Sequence, residues 1–374
     1  MIGRVVFRRF SEEPLVLASR VGHVVKVKLN KPKALNALCV PMIGVLQKLL
    51  NEWDRDEGVR MVVFSADGGK AFCAGGDVKS LYTAKQEGNF SHLAKFFQKE
   101  YVLDYSLSRM HPVQLSIYDG MVLGGGVGIS IHSPIRIATE KSMFSMPETM
   151  IGLYPDVAGS YFLPRLPGSI GLYLGITAAR LTGEDLVRAG AATHYMSTEN
   201  IAKLKESLIS EVKPDTSQQQ IEKIVKEFTS EVTGPLEDFE NIEKYFGSAK
   251  NVEEIFYRLQ NGCAWGQNKL KNMGKLCPLS MKIAFEQVKR GKSMSLEEVF
   301  KMEYRLSMNF MNGHEFFEGF RALLLDKDKD PKWQYKTLEE VSEDLVKSYF
   351  EPPSAGFVEL DVESEMMKVR NNSK

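Results

Sequence analysis

Three stretches of the chain bring together residue types that do chemistry. Phe72-Cys73-Ala74-Gly75-Gly76-Asp77 is a small-residue turn ahead of a helix-like segment at Val78–Tyr82. Gly120-Met121-Val122-Leu123-Gly124-Gly125-Gly126-Val127-Gly128 is a second such turn. Each follows a predicted strand and opens a predicted helix, so each leaves backbone N–H groups without an intrahelical acceptor. Two turns of this kind facing one another would offer two donors to one oxygen, the arrangement of an oxyanion hole. One glycine turn alone carries little weight, because glycine also serves any tight bend. The third stretch is Met146-Pro147-Glu148-Thr149-Met150-Ile151-Gly152-Leu153-Tyr154-Pro155-Asp156. Gly152 and Pro155 interrupt any helix between Glu148 and Asp156, so the chain can fold back and bring both carboxylates to one pocket. Acids in this apolar setting should have raised pKa values, which suits general acid–base work. Each also has a purely structural reading. Glu148 can be an early helical residue after Pro147, favoured by the helix dipole, and Asp156 can be a cap before Val157.

Competing motifs fail on spacing. Ile129 and Ile131 stand where a dinucleotide fingerprint needs glycine, and Glu286 stands where a P-loop ending at Gly291-Lys292-Ser293 needs its first. The nucleophile elbow GxSxG is missing: Ala158 and Phe162 flank Ser160, and Pro167 precedes Ser169. Cys39, Cys73, Cys263 and Cys277 show neither CxxC nor metal-ligand spacing, so they read as reduced thiols and no metal site is expected. Lys and Arg number 48, and so do Asp and Glu, which removes the field that would favour nucleic acid or an anionic membrane. The longest apolar run, Met121–Ile131, is broken by glycine and too short to span a bilayer.

The elements that must hold these residues fall into two regimes. Up to Met196 short strands alternate with helices, which predicts an α/β core. Val24–Leu29 alternates at period two, Arg60–Ala66 and Pro112–Tyr118 read as buried strands, and Ile135–Thr139 as a short one. Val40–Trp53 and His92–Leu107 have helical spacing. After Met196 strands nearly vanish, and helices are predicted over Glu199–Val212, Ser217–Val232, Asn251–Asn261, Pro278–Gly291 and Ser295–Asn312. The expected organisation is a core at 1–196 carrying the site, a mainly helical region at 197–360 and a polar, frayed tail at 361–374. Met1–Phe10 contains Arg4, Arg8 and Arg9 and no acid, which reads either as an organelle-targeting remnant or as a basic lead into the first strand.

FCAGGD, GMVLGGGVG and MPET followed by IGLYPDVAGSYFLPRLPG together resemble the crotonase (enoyl-CoA hydratase/isomerase) superfamily. Within it the chain is similar to the 3-hydroxyisobutyryl-CoA hydrolases, through Pro155-Asp156, Phe162–Leu166, Met302–Leu306, Glu318–Ala322 and Asp326–Trp333. The resemblance spans about Leu29 to Trp333. It implies a core of ββα repeats with a helical C-terminal region and a coenzyme A thioester as substrate. It implies oxyanion-hole amides at Gly76 and Gly125 and active-site acids at Glu148 and Asp156. Glu100, by itself a solvated helix charge, becomes a substrate-contacting acid by resemblance. Lys31 and Lys33 fall in a segment similar to one lining the CoA adenine and phosphates. Hydratases of the superfamily carry a second glutamate three residues after the oxyanion glycine of the second turn; here that position is Gly128. Hydrolysis of a short 3-hydroxyacyl thioester is therefore expected, in valine degradation and commonly in mitochondria, with cytosolic or peroxisomal placement as alternatives. No cofactor beyond the substrate's own coenzyme A is expected, and homo-oligomerisation is left open. The rival readings are a hydratase or isomerase of the same superfamily and a non-catalytic subunit of an organellar assembly.

Overall fold

The computed structural model describes residues 13–371. The basic segment Met1–Phe10 lies outside them. Among the described residues ten strands form two sheets. The larger has the order β1 (Val16–Val21), β2 (Val24–Leu29), β3 (Met61–Ala66), β5 (Val113–Tyr118), β7 (Ile135–Ala138), β10 (His194–Tyr195). It is parallel except for the β1–β2 pair. The smaller has the order β4 (Ala71–Cys73), β6 (Met121–Leu123), β8 (Met143–Ser145), β9 (Leu181–Thr182), with β4, β6 and β8 parallel. Each of β3, β5 and β7 passes by a short turn to its partner in the small sheet, and a helix follows. This is the ββα repeat the resemblance implies.

The large sheet is covered on both faces, which is why β3 opens on the apolar run Met61–Phe64 and why every residue of β5 is buried, Gln114 and Ser116 included. Alternation along β3 sends Val62 and Phe64 into the main core. Met61 and Val63 join Leu115, Ile117 and Ile137 in a second cluster beneath Leu204, Leu208, Ile221 and Val225. Those last four lie on the helices Ile201–Glu211 and Gln218–Lys226. The second helix ends earlier than its periodicity predicts, because Ser230 leaves it to donate to Tyr195 O at the sheet edge (2.8 Å).

Four helices serve the site: α1 (Val40–Arg55), α2 (Val78–Gln86), α3 (Phe90–Ser108) and α4 (Gly125–Ile131). The main core runs without a break from Val16 to Met366, so the C-terminal helices pack on the same interior as the sheets. The helix Leu296–Asn312 lies against α3. The tail expected to be frayed is instead a helix, Val362–Asn371, packed on α3. Val362 and Met366 are buried and Val369 packs beside them, an i, i+4, i+7 stripe hidden among polar neighbours. Arg370 pairs with Asp54 (2.8 Å) and pins its end.

Candidate active site

Because β4, β6 and β8 are parallel neighbours, their C-terminal ends lie side by side. The chain leaves β4 through Ala74–Asp77, β6 through Gly124 and β8 through Met146-Pro147 to Glu148. All three chemically suggestive stretches therefore meet at one edge of the small sheet. In the first two, a glycine with positive φ precedes the key amide: Gly75 (φ 104°) before Gly76, and Gly124 (φ 43°) before Gly125. An L side chain rarely adopts this backbone, and each such glycine turns the next N–H out of the strand direction. Gly125 is the first residue of α4, so its N–H has no intrahelical acceptor. Among the described residues no main-chain carbonyl accepts from Gly76 N. The two turns touch: a Cβ placed on Gly125 would stand 3.3 Å from Gly76 N. Two unengaged amides thus border one small space.

Carboxyls close this space on two sides. The same Cβ on Gly125 would stand 2.5 Å from Glu100 Oε1, and one on Gly124 would stand 2.8 Å from Glu148 Oε1. Glu100 is 2% exposed and Glu148 4%, and Glu100 Oε1 and Glu148 Oε2 are buried without a hydrogen-bond partner. Glu148 opens a short 3-10 helix, Glu148–Ile151, which Gly152 ends in the left-handed conformation. The chain then folds back, and Asp156 is buried near Glu148. Burial raises the Glu148 carboxyl well above its ordinary range, and the Asp156 charge raises it further. Burial also raises Glu100, with Asp156, Asp104 and Glu148 adding to the effect. Asp156 is pushed by burial up to about 7, against the pull of Tyr101, whose hydroxyl donates to Asp156 Oδ2 (3.2 Å). The charge on Asp156 acts on both Glu100 and Glu148, so the acids do not titrate independently.

Sequence reasoning missed the framework behind these acids. Glu100, Tyr101 and Asp104 form one buried stripe on α3. Tyr101 and Tyr154 both bond Ser307 Oγ (2.7 Å each) and each other (3.0 Å), a rail that ends on Asp156. Glu303, one turn before Ser307, is fully buried and accepts from Ala158 N and Ser160 N, each at 2.8 Å. Burial pushes it up to about 8, and the Ser160 and Ala158 bonds oppose the rise. The signal was present: Glu303 and Ser307 share the apolar face of a predicted helix, and Glu100 and Asp104 share that of α3. Polar residues on a buried stripe need a partner or a purpose.

A model of the enoyl-CoA hydratase/isomerase family matches residues 24–350. The mitochondrial 3-hydroxyisobutyryl-CoA hydrolase of Danio rerio is 42% identical over 341 residues, covering 90% of this chain and 89% of that one. The Homo sapiens enzyme of the same name is 40% identical, with 90% and 88% covered, and the Dictyostelium discoideum one 39%, with 94% and 96%. This chain belongs to the 3-hydroxyisobutyryl-CoA hydrolases of the enoyl-CoA hydratase/isomerase family. A crystal structure of a carnitinyl-CoA dehydratase from Mycobacterium thermoresistibile superposes with TM-score 0.84 at 30% identity, covering 92% of this chain and 99% of that one. An enoyl-CoA hydratase from Rhodobacter sphaeroides gives 0.82 at 32%, with 91% and 98% covered.

In this member of the hydrolase family, the site differs from the hydratase pattern at Gly128. A Cβ there would stand 2.5 Å from Asp104 Oδ2 and 2.7 Å from Val157 Cβ, so a side chain would have to displace them. Asp104 is itself fully buried, with both oxygens unpartnered. The two lysines lie apart from the carboxyl cluster. Lys31 is bound to Asp77 Oδ2 (3.1 Å), the carboxyl that caps α2, and Lys33 is exposed.

Proposed function

We propose that the chain hydrolyses 3-hydroxyisobutyryl-CoA to 3-hydroxyisobutyrate and coenzyme A, in the mitochondrion as its relatives are named. The observation that supports the reading is the approach of the two glycine turns, a Cβ on Gly125 standing 3.3 Å from Gly76 N and one on Gly124 standing 2.8 Å from Glu148 Oε1. A thioester carbonyl seated between those amides gains negative charge on oxygen as its carbon becomes tetrahedral. Two preorganised N–H donors stabilise that charge where it develops, and losing one such donor costs about 3–4 kcal/mol. Glu148 either takes a proton from the attacking water or attacks the carbonyl itself to give a mixed anhydride that water then cleaves. On both routes the C–S bond breaks, coenzyme A leaves as the thiol and water supplies the acid's new oxygen. Asp156 holds the substrate's 3-hydroxyl, and Glu100 lines the acyl pocket opposite Glu148. Lys31 and Lys33 lie toward the CoA phosphates, with Lys31 exchanging its Asp77 partner for phosphate. Backbone amides carry the developing charge, so the reading calls on no metal or redox group.

Hydration is the weaker alternative, because the space where the second hydratase acid belongs is closed at Gly128. Free-thiol release measured on 3-hydroxyisobutyryl-, 3-hydroxypropionyl- and crotonyl-CoA decides between them. Rapid release from the first two supports hydrolysis. Hydration of crotonyl-CoA faster than either release overturns it.

A further inference from the structure

The turn that presents Asp156 is held in a conformation its sequence does not favour. Val157 (φ 52°) and Ala158 (φ 65°) are consecutive L residues in the left-handed region. Valine there is a genuine outlier, since its branched Cβ crowds the backbone. Such a conformation persists only where the surroundings over-determine it. Backbone bonds from Gly159 N to Asp156 O and from Tyr161 N and Phe162 N to Ala158 O contribute, and one side chain holds the turn from outside: Glu303 Oε2 accepts from Ala158 N and Glu303 Oε1 from Ser160 N. The carboxyl comes from a helix more than a hundred residues further along the chain, and nothing else bonds those two amides among the described residues. Glu303 is fully buried and too deep, behind the turn, to serve as an exposed ion pair.

We propose that Glu303 is a positioning residue for the hydrolysis: it clamps the left-handed Val157-Ala158 turn and so fixes the direction of Asp156. The proposal rests on the role given to Asp156 above, contact with the substrate's 3-hydroxyl. Above about pH 8 Glu303 is a carboxylate and accepts both amides, one on each oxygen, so the variants are compared there; a carboxamide accepts one and sets its NH2 against the other. Glu303→Gln therefore releases half of the clamp without changing the volume.

The test compares thiol release from 3-hydroxypropionyl-CoA and propionyl-CoA, which differ only in the hydroxyl. Glu303→Gln should lower kcat for the hydroxylated substrate ~100-fold, the scale of a small misplacement of a reacting group. KM should stay within about threefold, and preference for the hydroxylated substrate should fall with kcat. Asp156→Asn should abolish the same preference, and the double variant should be no worse than Asp156→Asn alone. Ala158→Gly in the Glu303→Gln background supplies a residue that tolerates positive φ, and should recover activity about tenfold. That rescue also separates positioning from simple failure to fold. Multiplicative losses in the double variant, or no rescue by Ala158→Gly, overturn the role of Glu303 while leaving Asp156 in place. Full preference retained by Asp156→Asn overturns the reading of Asp156, and the clamp's function with it.

Discussion

Glu148 and Asp156 influence each other's protons, and this makes their variants distinguishable. The Asp156 charge raises Glu148, so the ionised Glu148 that either route needs appears only above the ordinary carboxylate range. Asp156→Asn removes that charge and should move the acid limb of whatever kcat/KM remains to lower pH; an unmoved limb would show that the two do not interact. Stability should change in the opposite sense to activity. Asp156 titrates at its ordinary value near 3.8 when unfolded and at about 7 when folded. Between those values the unfolded chain binds fewer protons, so this acid costs stability as pH rises through the window. Asp156→Asn should therefore raise Tm at pH 8 by ~3 °C or more, with a smaller gain at pH 4. Loss of Tm at pH 8 would contradict that sign. Glu148→Gln should lower turnover by orders of magnitude while thioester binding persists. The acids at 148 and 156 were legible as a pair because Gly152 and Pro155 stand between them. Asp104 was legible only as a polar residue on the apolar face of α3; that both its oxygens are buried and unpartnered depends on neighbours distant in the chain.

The turns and helices explain why those residues meet. The strands β2, β3 and β5 and the helix Pro278–Gly291 match their sequence patterns within a residue, because period and breaker residues agree there. The three-residue strands β4, β6 and β8 are too short to show a period, yet their parallel order aligns the site. α3 looks like an ordinary amphipathic helix until its buried stripe is seen to carry Glu100 and Asp104. The left-handed strain at Val157 and Ala158 leaves no sequence trace at all, since neither residue is glycine. An L residue costs roughly 1–2 kcal/mol in that region, and a charge-assisted hydrogen bond returns about 1.5–3 kcal/mol, so once Glu303 is ionised its two bonds offset two such residues. Gly128 faces Asp104 and Val157, and Gly128→Ala should destabilise the fold by about 1–3 kcal/mol through overpacking, read by urea unfolding. An unchanged urea midpoint would show that α3 yields more freely than this packing implies.

Across the whole chain, the helical C-terminal region is part of the body that holds the acid cluster. Its helix Leu296–Asn312 sends Glu303 and Ser307 to the acid cluster, and the last helix packs against α3, which bears Glu100. Truncation after Asp361 would uncover the side of α3 that Val362 and Met366 cover. Burying two such side chains contributes about 3–6 kcal/mol, so thermal unfolding should shift down by several degrees and kcat should fall with it. A truncated chain of unaltered Tm would mean that the helix merely rests on the surface. The division of the sequence into a strand-rich and a helical part was legible from the patterns. The continuity of the core between them was not, because the contacts join residues far apart in the chain. The central claim concerns one oxygen, and its most direct test is the carbonyl stretch of a bound thioester. In Glu148→Gln, isotope-edited infrared spectra of carbonyl-13C-labelled 3-hydroxyisobutyryl-CoA should show that band displaced to lower frequency on binding, as the Gly76 and Gly125 amides polarise it. A band at its free-solution frequency in the saturated complex would contradict the account.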